Sequence, residues 1–196
     1  MKAVWLTGLA LGLCMLALVW VKLGSHQEDG LLNFDDISIG GDFTLTAQDG
    51  QPYTLSEHNG EVRLLFFGFT RCPDICPTTL LELQKVYAQL GGPGEEVKTL
   101  FVSIDPERDS PELLGAYLDS FDIPVLGLTG SVEEVQEVID AYAGWFEKVE
   151  MDSAAVYTMD HSTRSYLLDR EGKVRYIFSY EDGPERIAHI VRKLLP

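Results

Sequence analysis

An α/β sandwich built on a mixed sheet is the fold class that the sequence predicts, and three observations carry it. Two runs, Val62 to Phe69 and Val97 to Ile104, are almost continuously apolar, as strands buried on both faces must be. Each is followed by a stretch whose apolar residues recur three and four apart, the stripe of a helix packed on a sheet. Towards the C-terminus, Ser165 to Asp169 and Val174 to Phe178 flank Arg170-Glu171-Gly172-Lys173, the pattern of an antiparallel hairpin.

The 196 residues allow one globular unit and a remainder outside it. That remainder begins with Ala3 to Val21, which carries no charge and is bounded by Lys2 and Lys22, long enough to cross a hydrocarbon layer as a helix. Leu18-Val19-Trp20 offers no small residues for cleavage, so residues 1–23 are expected to stay as one transmembrane helix. Cys14 follows Leu13 rather than a small residue, so it reads as a lipid-facing or packing side chain. Lys2 tends to hold the N-terminus in the cytoplasm, and the short stretch before the apolar run argues against an organellar transit peptide. The expected location is a bacterial inner membrane, crossed once, with the soluble domain in the periplasm.

Residues 24–39 are polar and acidic and read as a linker; residues 40–196 form the domain. Apart from Lys2 and Lys22, all charge lies outside the anchor, where 31 acidic residues far outnumber the basic ones. Such a surface repels nucleic acid and anionic lipid, and suits a cationic ligand or a basic partner as well as plain solubility.

Within the domain, Phe43-Thr44-Leu45 and Tyr53-Thr54-Leu55 flank Asp49-Gly50 and predict a starting hairpin. After the first buried strand, Pro77 opens a helix whose inner face is Leu80, Leu83, Tyr87 and Leu90, ended by Gly91-Gly92-Pro93-Gly94. Ser110-Pro111 starts a helix through Leu113, Leu114, Tyr117 and Leu118. Val125 to Leu128 is a short strand, and Ser131 with Glu134 makes a capping box for a helix burying Val135, Val138, Ile139 and Tyr142. Gly144 to His161 shows no clear period. Pro184 opens a last helix with Ile187, Val191 and Leu194 inward. With right-handed crossovers, this order is best solved by a thioredoxin-like mixed sheet flanked by helices, enlarged by the first hairpin and by an inserted strand and helix.

Chemistry concentrates at Cys72-Pro73-Asp74-Ile75-Cys76-Pro77, at the carboxyl end of a buried strand, where α/β proteins place their sites. Thiols four residues apart on a helix-like backbone can grip one ion or join as a disulfide. A bond closing so short a loop would stabilise little, so redox or metal chemistry is the better reading than a structural staple. Cys76, at a helix start, and neighbouring Arg71 favour a thiolate; Asp74 and the acidic domain oppose two adjacent thiolates unless a cation shares the space. The reduced pair is therefore expected to be poised for a cation, with neither thiol ionising far below a free cysteine before metal arrives; a thiolate that did so would count against it.

Of four histidines, His26 lies in the linker, His58 in a turn and His189 on the last helix, ordinary solvated or packed positions. His161 precedes the Ser165 strand, where the thioredoxin fold puts a cis-proline facing its cysteines; no proline stands here. A loop at that place would bring His161 over Cys72 and Cys76, although spacing alone leaves a structural histidine equally open. Two thiolates and one imidazole favour copper(I) or zinc, and three ligands without a clear fourth suit copper(I). Asp160 is placed to orient the ring or to add an oxygen donor for copper(II); Met151 and Met159 read as gap fillers.

Together with Ser103-Ile104-Asp105-Pro106-Glu107-Arg108-Asp109, Asp160-His161-Ser162, Gly40-Gly41-Asp42-Phe43 and Gly127-Leu128-Thr129-Gly130, the cysteine motif resembles the Sco/SenC proteins in order and spacing, from about Gly40 to Leu195. The resemblance implies a thioredoxin-like fold, an N-terminal anchor and copper held by Cys72, Cys76 and His161. It further implies a metallochaperone that receives copper from a donor protein and helps metallate the dinuclear copper centre of cytochrome c oxidase subunit II, or reduces that subunit's cysteines. A membrane-anchored thiol-disulfide oxidoreductase using Cys72 and Cys76 is the rival reading, and a peroxiredoxin-like scavenger a third. The Asp105 to Asp109 segment has no role in any of these beyond a capped strand end.

Overall fold

The computed structural model describes residue 31, residues 39–151 and residues 157–196. The anchor expected over residues 1–23 lies outside them, as does nearly all of the linker; among the described residues no helix is long and apolar enough to cross a membrane.

The domain begins with the expected hairpin: β1 (Thr44–Ala47) and β2 (Pro52–Thr54) pair antiparallel, with Leu45 opposite Tyr53. Next comes β3 (Val62–Gly68), buried at every position, which accounts for its lack of alternation. It leads into α1 (Ile75–Leu90), which starts two residues before Pro77, so that Cys76 sits inside its first turn. A proline tolerates the first turn of a helix without opening it, hence the offset. Leu80, Leu83, Val86 and Leu90 form the buried stripe; Tyr87 is only half-buried, and Gly91 ends the helix with φ of 63°.

Five further elements follow the predicted order: β4 (Val97–Ser103), α2 (Pro111–Leu118), β5 (Val125–Thr129), α3 (Val132–Ala141) and, after an interval, β8 (Ser165–Leu168). Ser110 caps α2 through the Leu113 N–H, and the Ser131–Glu134 capping box of α3 is complete. The interval holds a hairpin that the sequence did not reveal, β6 (Phe146–Glu150) with β7 (Tyr157–His161). Its β6 strand is exposed almost throughout, so no apolar period marks it. Finally β9 (Val174–Phe178) pairs with β8 across a bulge, and α4 (Pro184–Val191) closes the chain.

Seven strands form one sheet in the order β2-β1-β5-β4-β3-β8-β9; β6 and β7 stand apart as a two-stranded sheet. Only β3–β4 and β4–β5 run parallel, which makes the sheet mixed. On one face Phe66 meets Phe101 edge-on, and Phe101 in turn meets Tyr117 of α2. On the other, Phe67 packs edge-on against Tyr142 and Tyr166. The parallel strands β3 and β4 lie at the centre, so the loop that leaves β3 starts from the most rigid part of the molecule.

Candidate metal centre

Cys72 stands in the turn between β3 and α1, its N–H donating to the Phe69 carbonyl at 3.2 Å. Because the helix begins just beyond it, the unpaired N–H groups of the first turn point back at its sulfur: the Cys76 N–H lies 3.4 Å from Cys72 Sγ, and the Asp74 N–H adds to it. The Cys76 thiol and the His161 ring also donate to that sulfur, and together these hydrogen bonds bring the Cys72 pKa down to about 3.

Cys76 is buried, at 1% exposure. Its sulfur rests against Gly68, where an added β-carbon would come within 2.9 Å of it, so the sheet gives up a side chain to seat it. The Cys72 negative charge beside it, its own hydrogen bond to that sulfur and its burial all push the Cys76 thiol well above the usual cysteine range. Both cysteines are free thiols rather than a disulfide.

These facts correct the expectation that neither thiol ionises early and that the helix start serves Cys76. Cys76 lies within the first turn, where its sulfur is shielded and its own N–H points to the other cysteine. The helix terminus therefore stabilises Cys72, and the whole repulsion between adjacent thiolates falls on the second ionisation, that of Cys76. Arg71, also expected to favour a thiolate, is exposed and takes no part.

His161 is the last residue of β7 rather than part of a loop. Its ring meets Phe69 edge-on at 6.0 Å and shares a small depression with Cys76, Ile75 and Thr79. Nδ1 lies 2.9 Å from the Ser162 carbonyl, an acceptor, so this nitrogen carries a proton. Nε2 is left to face the sulfur: protonated it donates to the Cys72 thiolate, deprotonated it offers a lone pair to a metal. Among the described residues, no three His, Cys, Asp or Glu side chains already stand gathered around one point at metal-holding distance. The imidazole leans on Cys72, and a shared ion needs a further small approach of ring and sulfurs.

The other sequence candidates separate cleanly. Asp160 points away and is exposed; Met159 is buried at 7%, a packing residue, while Met151 is exposed. His58 stacks on Tyr53 at 4.3 Å and His189 is exposed; His26 lies outside the described residues. Sequence reasoning passed over Gly68, Phe69 and Ser162, which carry no reactive group, and it left the Asp105 to Asp109 segment as a strand end.

A thioredoxin-like sheet that presents a CxxxC thiolate to a histidine from a separate hairpin defines a class of thiol proteins equipped for soft metals or disulfides. Within that class the chain belongs to the SCO1/SenC family, whose model matches residues 34–196. It is 35% identical over 159 residues to an SCO2-like protein of Rickettsia felis, covering 81% of this chain and 78% of that one. ScoI of Bradyrhizobium japonicum, solved with copper bound, is 40% identical, with a TM-score of 0.73 over 80% of this chain and 99% of the other. A more distant likeness, 26% identical with a TM-score of 0.62 over 80% of this chain and 93% of the other, is to BsSco, described by a disulfide switch and as a member of the Sco family of cytochrome c oxidase assembly proteins.

Proposed function

We propose that this protein is a copper metallochaperone that carries copper(I) on Cys72, Cys76 and His161 and passes it by ligand exchange to the dinuclear copper site of cytochrome c oxidase subunit II or a related oxidase subunit. The observation that carries the reading is geometric: the Cys76 N–H lies 3.4 Å from Cys72 Sγ, and Cys76 shares a small depression with the His161 ring, so that two sulfurs and an imidazole come to one place. Copper is cargo here, not a resident cofactor. Its binding would displace the Cys76 proton and the Nε2 proton that His161 turns toward the Cys72 sulfur, leaving two sulfurs and one imidazole nitrogen, the soft donor set that copper(I) favours. Copper bound in the related ScoI supports the choice of metal, and the family description of BsSco supports the choice of client. A donor protein loads the site, and the apolar run at residues 3–21 tethers the domain to a bacterial inner membrane on its periplasmic side.

One observation favours a second reading, thiol-disulfide exchange: a single low-pKa thiolate with a protonated thiol against it. Cys72 sulfur would attack a partner disulfide and expel one partner thiolate. Cys76 would then pass its proton to that thiolate and attack the mixed disulfide, leaving Cys72–Cys76 oxidised by two electrons and the partner reduced.

Competition titration of copper(I) against a chromophoric chelator separates the two. His161→Ala is expected to lose at least about 100-fold in affinity, more than an outer-sphere partner typically commands, while still reducing a model disulfide. Wild-type affinity in that variant would sink the metallochaperone reading.

A further inference from the structure

The segment Asp105 to Asp109, between β4 and α2, touches both halves of the site. Asp109 is fully buried, and its carboxylate accepts from the Thr70 N–H at 2.9 Å, the Thr70 hydroxyl at 2.6 Å and the Ser103 hydroxyl at 2.6 Å. Thr70 lies two residues before Cys72, so this carboxylate fixes the turn on which the thiolate is mounted. Asp109 does not cap α2; Ser110 does that.

The other end of the segment reaches the hairpin. Asp105, 2% exposed, pairs with the Arg108 guanidinium and accepts from the Tyr157 hydroxyl at 2.8 Å. Arg108 Nη1 donates to the Tyr157 carbonyl at 2.9 Å, and its guanidinium lies 3.6 Å from the centre of the Tyr157 ring. Lys148 of β6 covers that ring at 3.9 Å and also pairs with Glu107 at 2.9 Å. Tyr157 and His161 are four residues apart on β7 and point to the same face, roughly 13 Å along the strand.

We infer that Asp105–Asp109 is the registration element of the site: Asp109 sets the cysteine turn, Arg108 and Asp105 set the histidine hairpin through Tyr157, and one rigid loop thereby fixes the distance between thiolate and imidazole. Tyr157 is a positioning residue in this scheme, since it touches neither sulfur nor ring. The hairpin needs such a tie because it shares no strand pairing with the main sheet. The inference rests on the copper reading for its functional meaning, but the mechanical tie exists without metal and is measurable without it.

Its test uses the full chain, with two readouts: copper(I) affinity, and amide hydrogen exchange of the metal-free protein. Tyr157→Leu is expected to lower affinity about tenfold and to speed exchange across β6 and β7 while β3 and β4 keep their wild-type rates. Tyr157→Phe keeps a ring between the two cations and recovers most of both. Thr70→Val, which removes the hydroxyl bond of the other arm and keeps its N–H bond, is expected to lower affinity with hairpin exchange unchanged. Wild-type affinity and exchange in Tyr157→Leu would overturn the inference, as would faster exchange spread equally over β3 and β4. A wild-type chain that binds no copper(I) would sink the metallochaperone reading alone, because exchange still decides whether the tie exists.

Discussion

Strands β3 and β7 each end in a residue or turn that serves the site, yet they are held by different physics. Every residue of β3 is buried, and the strand is paired on both sides, parallel to β4 and antiparallel to β8. Only Met159 of β7 is buried, its one pairing partner is the exposed β6, and its link to the domain combines the packing of Met159, Phe146 and Tyr157 on the core with polar contacts at Tyr157. The thiolate is thus mounted on the part of the molecule that opens last, the imidazole on a part that opens readily. The proposed function turns on that inequality: a carrier can withdraw its histidine to release cargo while both sulfurs stay in place.

The comparison breaks most decisively at the core. Phe67→Ala removes a ring that packs between Tyr142 and Tyr166 and is expected to cost about 3–5 kcal/mol in denaturant unfolding. A loss below about 1 kcal/mol would mean that the sheet is no firmer than the hairpin. Smaller and of opposite sign is Arg63→Met. Arg63 is wholly buried in β3, among the described residues none of its guanidinium nitrogens has a hydrogen-bond partner of good geometry, and Glu61, its ion-pair partner 3.7 Å away, is half exposed. Replacing this poorly compensated buried charge is expected to stabilise the fold by about 1–3 kcal/mol in the same assay; destabilisation would show that the guanidinium anchors something the core depends on.

The finest test expects no change at all. A thiol whose pKa is lowered to about 3 is ionised at every pH above that value, so lowering the pH towards 5 removes no thiolate. Alkylation of Cys72 by iodoacetamide is therefore expected to run at one rate from about pH 5 to 8, where a free cysteine slows roughly tenfold per unit of acidification. Such slowing at Cys72 would mean that the helix start and its neighbours do not preset the thiolate.

Legibility in the sequence follows the same division. The buried strands, the capping box at Ser131 and the Ser110-Pro111 helix start were readable because burial and capping leave local patterns. So were Cys72, Cys76 and His161 as the residues to watch. Which sulfur carries the charge was not readable, since it depends on the Cys76 thiol and the His161 ring donating to Cys72, and on α1 starting at Ile75 rather than Pro77, a shift of two residues that turns the first N–H groups onto the same sulfur. The β6–β7 hairpin stayed hidden because it buries little, and the role of Asp109 because a carboxylate 39 residues from Thr70 has no local signature.

The pairing of Phe146 with His161 also has a bearing on what the pocket can accept. Neighbours along a strand look to opposite sides, so Met159 and His161 turn inward while Asp160 turns out. Sliding β7 by a single residue would turn Asp160 inward in place of His161 and set a carboxylate oxygen rather than an imidazole nitrogen beside the two sulfurs. The partner offered to the sulfurs is in this way set by a strand alignment, and an inserted or deleted residue in this ribbon would replace it without touching a single cysteine.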